Sequence, residues 1–340
     1  MKRAYGIFAS CRGNREETGM IFEKQIVETF KKTAYKRCDD NGLAYYFTAK
    51  DFARLNKTPY PFKSSLGHKL QGYLYNYDSP IDGRLVVFDH GFGGGHESYM
   101  KEIEKLCRHG YRVFAYDHTG CMESGGETTR GMAQSLHDLD DAVKAIKADP
   151  EFSGIDISVM GHSWGGFSTL NISALHKDIS HVVVLSGFIS VEAIISSNFG
   201  GLLKGYRPAI MELERDTNPD YVDFDATVSL ANYEGKAVLI YSDNDKLVNK
   251  CVHFNALYAA LHDKENIKLI LEVGKGHNPN YTEEAVELLS KYLADINRLQ
   301  KKGKPMSDEA KAKFRSSYDF DAMTEQDERV WADVFACLDS

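Results

Sequence analysis

The stretch Val159-Met-Gly-His-Ser163-Trp-Gly-Gly166 decides the fold of this chain. An apolar strand precedes its Gly-x-Ser-x-Gly pattern, and a helix-compatible run, Phe167 to Leu175, follows it. A sharp turn between a strand and a helix exposes the serine hydroxyl above the sheet edge, where a base can reach it. Gly161 and Gly165 have no Cβ, so the strand and the helix can approach closely around the serine. Ser163 is therefore predicted to be a nucleophile, and the alternative is a chance match to a short pattern.

The composition is typical of a soluble globular enzyme. The chain has 340 residues, 43% hydrophobic and 26% charged, which is enough for one large core or one core with an insertion. The net charge of −8 leaves no basic surplus to neutralise phosphates, so nucleic acid is not expected as the main partner. No apolar run approaches the roughly 18 residues of a membrane helix, so stable membrane insertion is not expected either.

The cysteines and histidines do not form a metal-binding pattern. The six cysteines are Cys11, Cys38, Cys107, Cys121, Cys251 and Cys337, and no two of them form a C-x-x-C pair. Free thiols in a reducing cytoplasm are the expectation for a chain of this length. The apolar stretch after the basic Met1-Lys-Arg3 is too short for a signal peptide, which also favours a cytoplasmic location. Neither a metal nor a cofactor is predicted.

Short apolar strands alternate with amphipathic helices along most of the chain. A hairpin is predicted over residues 61–75. The strands that follow are predicted at 84–88, 111–116, 155–160, 181–185, 237–241 and 267–273, and the helices at 99–109, 132–148, 167–175, 250–261 and 282–299. This alternation predicts an α/β fold with a mostly parallel central sheet and helices on both faces.

Four regions are expected. They are an N-terminal helical extension (1–59, with helical spacing over 16–37), the α/β core (60–187 and 236–302), a cap or lid insertion (188–235), and a C-terminal helical tail (303–340). The insertion is too long for an ordinary loop, and its acidic residues outnumber its basic ones. Ligands bind beyond the carboxyl ends of parallel strands, so we expect this insertion to cover the site. The alternative is a helical hairpin that only enlarges the core.

A serine nucleophile needs a base, and the base needs an acid to orient it. His277 follows the last predicted strand in a Gly- and Pro-flanked loop, which favours it as the base. Asp243 and Asp245 both follow the preceding strand. Asp245 lies further into the loop, where its side chain can turn toward the neighbouring loop, so it is the predicted acid. Asp243 remains the alternative, since aspartate is also a common turn residue.

Backbone N–H groups are needed to hold the negative charge that develops on a tetrahedral intermediate. The N–H of Trp164 is one predicted donor, and that of Phe92, in the glycine-rich loop His90–Gly95, is the other. A phosphate-binding loop is the alternative for that segment, but it lacks the Gly-Lys-Ser/Thr ending and the G-x-G-x-x-G spacing. Three further residues, His90, His162 and Tyr206, are expected to line the substrate pocket.

These motifs together resemble the α/β-hydrolase superfamily, and in particular its branch of serine aminopeptidases, monoglyceride lipases and cinnamoyl esterases. The resemblance covers about residues 60–299 and depends on Phe62–Leu70, His90-Gly91, Asp117, Gly161–Gly166, Asp245 and His277. The chain order of serine, aspartate and histidine is the order of that fold. The resemblance implies Ser163, Asp245 and His277 as a catalytic triad. The chain departs from the branch at Ser242, where glycine is more common, and in the loop Asp117–Gly126.

The leading hypothesis is a serine hydrolase that cleaves a carboxylic ester of a small or medium acyl substrate through an acyl-serine intermediate. The first alternative is an aminopeptidase or amidase whose acidic cap residues bind an amino terminus. The second is a non-catalytic binding protein on the same fold, because a fold alone does not define an activity. The expected partner is a small-molecule acyl substrate, and a homo-oligomer is compatible with the sequence.

Overall fold

The computed structural model describes residues 22–301 and 306–340. Helix α1 covers residues 22–34, within the helix expected over 16–37, whose earlier part lies outside the described residues. The first residues of the expected tail, 303–305, also lie outside them. The other helices are α2 (Met100–His109), α3 (Gln134–Ala148), α4 (Ser163–Asn171), α5 (Val191–Asn198), α6 (Arg207–Thr217), α7 (Ala226–Ser229), α8 (Phe254–Leu261), α9 (Glu283–Lys301), α10 (Asp308–Arg315), α11 (Phe320–Met323) and α12 (Glu328–Leu338).

A central sheet organises the described residues. The strands are β1 (Asn56–Pro59), β2 (Phe62–Lys63), β3 (Lys69–Leu70), β4 (Gly72–Asn76), β5 (Arg84–Asp89), β6 (Arg112–Tyr116), β7 (Asp156–His162), β8 (His181–Leu185), β9 (Lys236–Ser242) and β10 (Ile267–Glu272). Eight strands form the sheet in the order β1-β4-β6-β5-β7-β8-β9-β10. The pairs β1–β4 and β4–β6 are antiparallel, and the remaining pairs are parallel. This confirms the expected mostly parallel sheet.

Both faces of the sheet are covered because alternate strand residues point to opposite sides. On one face Val87, Val159 and Leu239 pack in a core with α3, α4 and α8. On the other face Val86, Met160 and Val238 pack with α2 and α12. The last helix of the tail, α12, is therefore part of the core of the fold rather than an appendage.

Two expectations for the first strands need correction. The second arm of the expected hairpin is split, since β3 pairs with β2 whereas β4 joins the main sheet between β1 and β6. Residues Asn56–Pro59, placed within the helical extension, form the edge strand β1. That strand contains a proline and is mostly exposed, as edge strands tolerate, so it carries no apolar run that would reveal it.

The residues between β8 and β9 form α5, a 3₁₀ turn (Gly201–Tyr206), α6 and α7. Helix α6 is anchored to the start of α3, because the buried Glu214 accepts hydrogen bonds from the N–H of Met132 (2.9 and 3.2 Å). Arg130 donates to the carbonyl of Thr217 at 3.1 Å, close to the same point. The insertion thus packs on the segment that precedes α3.

Candidate active site

Ser163 occupies the turn between β7 and α4, and its backbone is in the left-handed region with φ of +56°. A non-glycine residue rarely adopts this conformation, so the surroundings must hold it there. A Cβ on Gly161 would collide with the backbone of Gly165, and a Cβ on Gly165 would collide with the carbonyl of Asp89. The two glycines of the pattern are therefore required by close backbone packing around the serine.

The structure brings Ser163, His277 and Asp245 into one hydrogen-bonded chain. The Nε2 atom of His277 lies 2.8 Å from the Oγ atom of Ser163, and its Nδ1 atom lies 2.7 Å from Oδ2 of Asp245. The other carboxylate oxygen, Oδ1, accepts the N–H groups of Leu247 (2.8 Å) and Val248 (3.0 Å). Both oxygens of Asp245 are thus used, which fixes the carboxylate toward the imidazole.

The surroundings of Asp245 favour its ionised form. Burial by itself raises the pKa of this carboxyl, but the hydrogen bond and charge of His277 and the two N–H donors outweigh burial and lower it. The Asp245 side chain is 1% exposed, whereas that of His277 is 19% exposed. The carboxylate is therefore sealed from solvent, while the imidazole stays within reach of a bound molecule.

The second candidate acid, Asp243, has a different task. Its Oδ1 atom accepts the N–H of Gly274 at 2.9 Å, and the side chain of the adjacent Asn244 accepts the N–H of Gly276 at 2.7 Å. These bonds hold the loop after β10 against the loop after β9. Of the two aspartates left open by the sequence, the structure brings Asp245 to His277.

The two predicted N–H donors lie on either side of the serine turn. Trp164 is the second residue of α4, and N–H groups in a first helical turn have no intrahelical acceptor. Phe92 lies in the turn after β5, with its ring 5.3 Å from that of Trp164 in an edge-on arrangement. The side chain of Phe92 is 40% exposed. The loop after β5 and the start of α4 therefore meet next to Ser163.

His90 is not a pocket residue, which corrects the expectation that it contacts substrate. It is completely buried, its Nδ1–H donates to the carbonyl of Gly91 (2.8 Å), and its Nε2 accepts the N–H of His118 (3.0 Å). Burial, followed by the nearby His118, lowers the pKa of His90 to about 3. A neutral His90 therefore shapes the glycine-rich loop from inside.

His162 is also directed inward, so we correct its expected contact with substrate. Its Nε2–H donates to the main-chain carbonyl of His277 (2.8 Å), and its Nδ1 accepts the hydroxyl of Tyr99 (2.8 Å). The Tyr99 oxygen in turn accepts the N–H of Gly91 at 3.1 Å. Burial lowers the pKa of His162 to about 3, which keeps the ring neutral and able to accept from Tyr99. These bonds connect the loop after β5, the serine turn and the base.

The third predicted pocket residue, Tyr206, lies at the end of the 3₁₀ turn in the insertion and is half-buried. None of the hydrogen bonds among residues 22–301 and 306–340 joins it to Ser163 or His277. Its expected contact with substrate stays a prediction.

A second cluster of serine, histidine and aspartate lies beneath the site and was not predicted. His118 has Nε2 at 3.0 Å from Asp89 and Nδ1 at 3.3 Å from Asp138, and all three are fully buried. The hydroxyl of Ser168 donates to Asp89. The ring of His118 lies 4.7 Å from that of Trp164. The adjacent Asp-His pairs that end β5 and begin the loop after β6 are the sequence signal that indicates such a cluster.

Comparison with known proteins agrees with this architecture. A family model described as serine aminopeptidase, S33, matches residues 82–228. The uncharacterized protein YqkD of Bacillus subtilis is 27% identical over 162 residues, which are 46% of this chain and 51% of that protein. The monoglyceride lipase of Saccharomyces cerevisiae is 27% identical over 154 residues, which are 40% of this chain and 48% of the lipase. The solved structure of the esterase Pf2001 of Pyrococcus furiosus has a TM-score of 0.55 at 20% identity, covering 76% of this chain and 96% of that one.

The fold and the serine turn, together with these matches, define a class. The chain has the α/β-hydrolase fold, as its motifs predicted. It spans about half the length of the curated relatives that it matches. The residues matched by the family model include Ser163 but neither Asp245 nor His277, which the fold itself brings to the serine.

Two properties of the described part of the chain complete this picture. No helix within 22–301 or 306–340 is long and apolar enough to cross a bilayer. Those same residues contain no group of three histidine, cysteine or acidic side chains arranged to hold a metal ion.

Proposed function

We propose that this protein is a serine hydrolase that cleaves a carboxylic ester of a small or medium acyl substrate. The observation that carries the proposal is the unbroken relay from Ser163 Oγ through His277 to Asp245, with distances of 2.8 and 2.7 Å. A serine on a left-handed turn, with an imidazole oriented by a buried carboxylate, is the arrangement that activates a hydroxyl for acyl transfer.

The reaction follows from these contacts in two halves. Ser163 Oγ attacks the ester carbonyl while His277 Nε2 takes its proton, and Asp245 stabilises the imidazolium through Nδ1–H. The N–H groups of Phe92 and Trp164 hold the oxyanion. Collapse of the tetrahedral intermediate passes the proton from His277 to the leaving alcohol. A water then repeats the sequence, releases the acid and restores Ser163.

Three acidic residues of the insertion have structural partners, which supports an ester rather than a free amino terminus as the recognised group. Glu214 accepts main-chain N–H groups at the start of α3, and Asp225 caps α7 through the N–H of Thr227 (2.8 Å). Asp223 pairs with Arg215 at the surface. These carboxylates already have structural partners, so an aminopeptidase or amidase stays the second candidate.

We further propose that residues 188–235 form the cap over the acyl pocket. The argument is their anchoring near Met132: its N–H donates to Glu214 of α6, and its carbonyl accepts the indole N–H of Trp164 at 2.7 Å. Movement of α6 is thereby connected to the residue that follows the nucleophile. A small-molecule substrate, bound between the cap and the carboxyl ends of the strands, fits this arrangement.

The test compares p-nitrophenyl butyrate with aminoacyl p-nitroanilides, using the full chain and two variants. We expect the ester to be the better substrate by kcat/KM. Ser163→Ala and His277→Ala should each lower kcat by about 10⁶, since the groups of a triad act as one unit. Ester hydrolysis that survives either substitution would sink the proposal. Faster turnover of the anilides would favour the aminopeptidase instead.

A further inference from the structure

A short segment after α1 lies alongside the loop that follows β6. Cys38 forms a parallel bridge with Cys121, in which its N–H donates to the carbonyl of Gly120 (2.9 Å) and its carbonyl accepts the N–H of Met122 (2.8 Å). An antiparallel bridge between Lys36 and Thr128 adjoins it. The two cysteines are far apart in the sequence, but the fold places them opposite each other.

Arg37 fixes this register. Its guanidinium donates to the carbonyls of Met122, Ser124 (3.0 Å) and Gly126 (2.7 Å), all in the loop after β6. The hydroxyl of Thr129 donates to the carbonyl of Ala34 at 2.7 Å. The segment therefore cannot slide by one residue without breaking several bonds, and Cys38 stays opposite Cys121.

The separation suits a disulfide bond. Paired backbones lie about 4.8 Å apart, within the roughly 4.4–6.8 Å between Cα atoms that a disulfide bridges. The backbones of Cys38 and Cys121 are thus close enough for a disulfide.

The two thiols differ in the way that a redox pair requires. Cys38 is half-buried, and its pKa is lowered to about 7, first by the hydrogen bond with Cys121 and also by the N–H of Gly93, against the opposing effect of burial. Cys121 is fully buried and its pKa is raised well above the usual value, first by its hydrogen bond with Cys38 and then by burial. A partly exposed thiolate beside a second cysteine is the pattern of thiols that oxidise reversibly.

The loop that carries Cys121 packs closely on the loop proposed to hold the oxyanion. The N–H of Gly93, the residue next to Phe92, is one of the groups that lower the pKa of Cys38. In the same loop, a Cβ on Gly95 would meet the side chains of Asp117 and Met122, so this loop packs closely on the one that carries Cys121. A change at the two sulfurs can therefore reach the Phe92 loop through the close contact between Gly95 and Met122, the residue after Cys121.

We propose that Cys38 and Cys121 are a peroxide-sensitive dithiol whose disulfide displaces the Phe92 loop and slows hydrolysis at Ser163. The effect on hydrolysis rests on the function proposed above. In the first step the Cys38 thiolate attacks hydrogen peroxide, giving a sulfenic acid and hydroxide. In the second the Cys121 thiol attacks that sulfur, giving the disulfide and water. A dithiol reductant reverses the bond and is itself oxidised to a disulfide.

The test treats the reduced full chain with hydrogen peroxide and maps its peptides by mass spectrometry without reduction. We expect a peptide pair linked through Cys38 and Cys121, and a fall of about tenfold in p-nitrophenyl butyrate hydrolysis, because displacement of an oxyanion donor is costly. Dithiothreitol should restore the rate. Cys38→Ser and Cys121→Ala should resist the loss, while the control Cys251→Ser, at an exposed cysteine, should behave like the wild type.

Several outcomes decide between the claims. A missing Cys38–Cys121 link, or a link from Cys38 to another cysteine, overturns the dithiol whatever the activity. A link with unchanged hydrolysis, or an equal loss of rate in Cys38→Ser, overturns its control of the site. Failure of the reduced protein to hydrolyse any ester overturns the proposed function and the slowing with it, while the linked peptide still supports the dithiol.

Discussion

Two clusters in this molecule contain the same three residue types but have different surroundings. In one, His277 lies between the hydroxyl of Ser163 and a single carboxylate, Asp245, and remains partly exposed. In the other, His118 lies between the carboxylates of Asp89 and Asp138 and is completely buried. His277 can therefore take a proton from Ser163, whereas both ring nitrogens of His118 face carboxylates.

The number of carboxylates determines what each histidine can do. Burial alone lowers the pKa of His118, but Asp89 and Asp138 outweigh burial and raise it to about 10. His118 therefore keeps its proton at neutral pH and serves as a fixed positive charge. Ser168 donates to Asp89 rather than to a histidine, so no imidazole is placed to take its proton. The same three residue types form a triad only where hydrogen bonds connect them in the order serine, histidine, aspartate.

The largest effect is expected from removing the charge of Asp245. Asp245→Asn should lower kcat by about ten-thousandfold, because the neutral amide holds His277 in the wrong tautomer. The matched control is Asp243→Asn in the same loop, whose oxygen can still accept the N–H of Gly274. Steady-state ester hydrolysis measures both. Equal losses in the two variants would contradict the assignment of the acid.

Removing the buried imidazole should affect stability instead. His118→Gln leaves Asp89 and Asp138 without their cation, and breaking such a buried pair costs about 3–5 kcal/mol of the free energy of unfolding. Chemical denaturation measures the change, and activity per folded molecule should change far less than in Asp245→Asn. A stable but inactive His118→Gln protein would mean that the buried cluster takes part in the reaction.

Glu214 is a further buried acidic side chain, and it differs from those of the two clusters because its partners are N–H and O–H groups rather than a histidine. Burial raises its pKa to about 7, from the ordinary value of 4.5. The folded protein thus retains a proton that the unfolded chain has lost between these two pH values, so stability should fall as pH rises through this window. The loss is on the order of 3 kcal/mol.

Glu214→Gln checks this sign. Denaturation midpoints of the wild type and the variant, measured at pH 5 and pH 8, should show a smaller drop with rising pH in the variant. An unchanged or larger drop would show that Glu214 does not titrate in this range.

The smallest effect on kcat is expected from a variant that alters only the position of the groups around Ser163. Tyr99→Phe removes the hydroxyl between Gly91 and His162, and should lower kcat about tenfold with little change in KM, less than the hundredfold that a 1 Å misplacement can cost. Tyr233→Phe is the control, since it loses a buried hydrogen bond to Ile179 at the opposite sheet edge. Equal kinetics in both variants would remove the positioning role of Tyr99.

Much of this fold could be predicted because buried parallel strands are continuous apolar runs. The segments that form β5 to β10 are such runs. Ser163 and His277 were expected at the sheet edge because each comes directly after a predicted strand. Strand β1 escaped prediction since edge pairing leaves its residues largely exposed. The choice between Asp243 and Asp245 depended on the path of a loop backbone, which local sequence does not specify.

The inward direction of His90 and His162 could not be predicted for a related reason. A histidine in a glycine-rich loop or in a nucleophile motif is equally compatible with a pocket and with the interior. Its partners here, His118 and Tyr99, come from other loops that only the folded sheet brings together. The Cys38–Cys121 pair is hidden from the sequence in the same way.

The central claim is that one serine of the two clusters is reactive, and a fluorophosphonate tests it most directly. Peptide mapping of the labelled full chain should find one phosphonyl group, on Ser163 and not on Ser168. Labelling should vanish in Ser163→Ala and fall sharply in His277→Ala. A folded wild-type protein that takes up no label, or a Ser163→Ala protein that is labelled as fast as the wild type, would contradict the account.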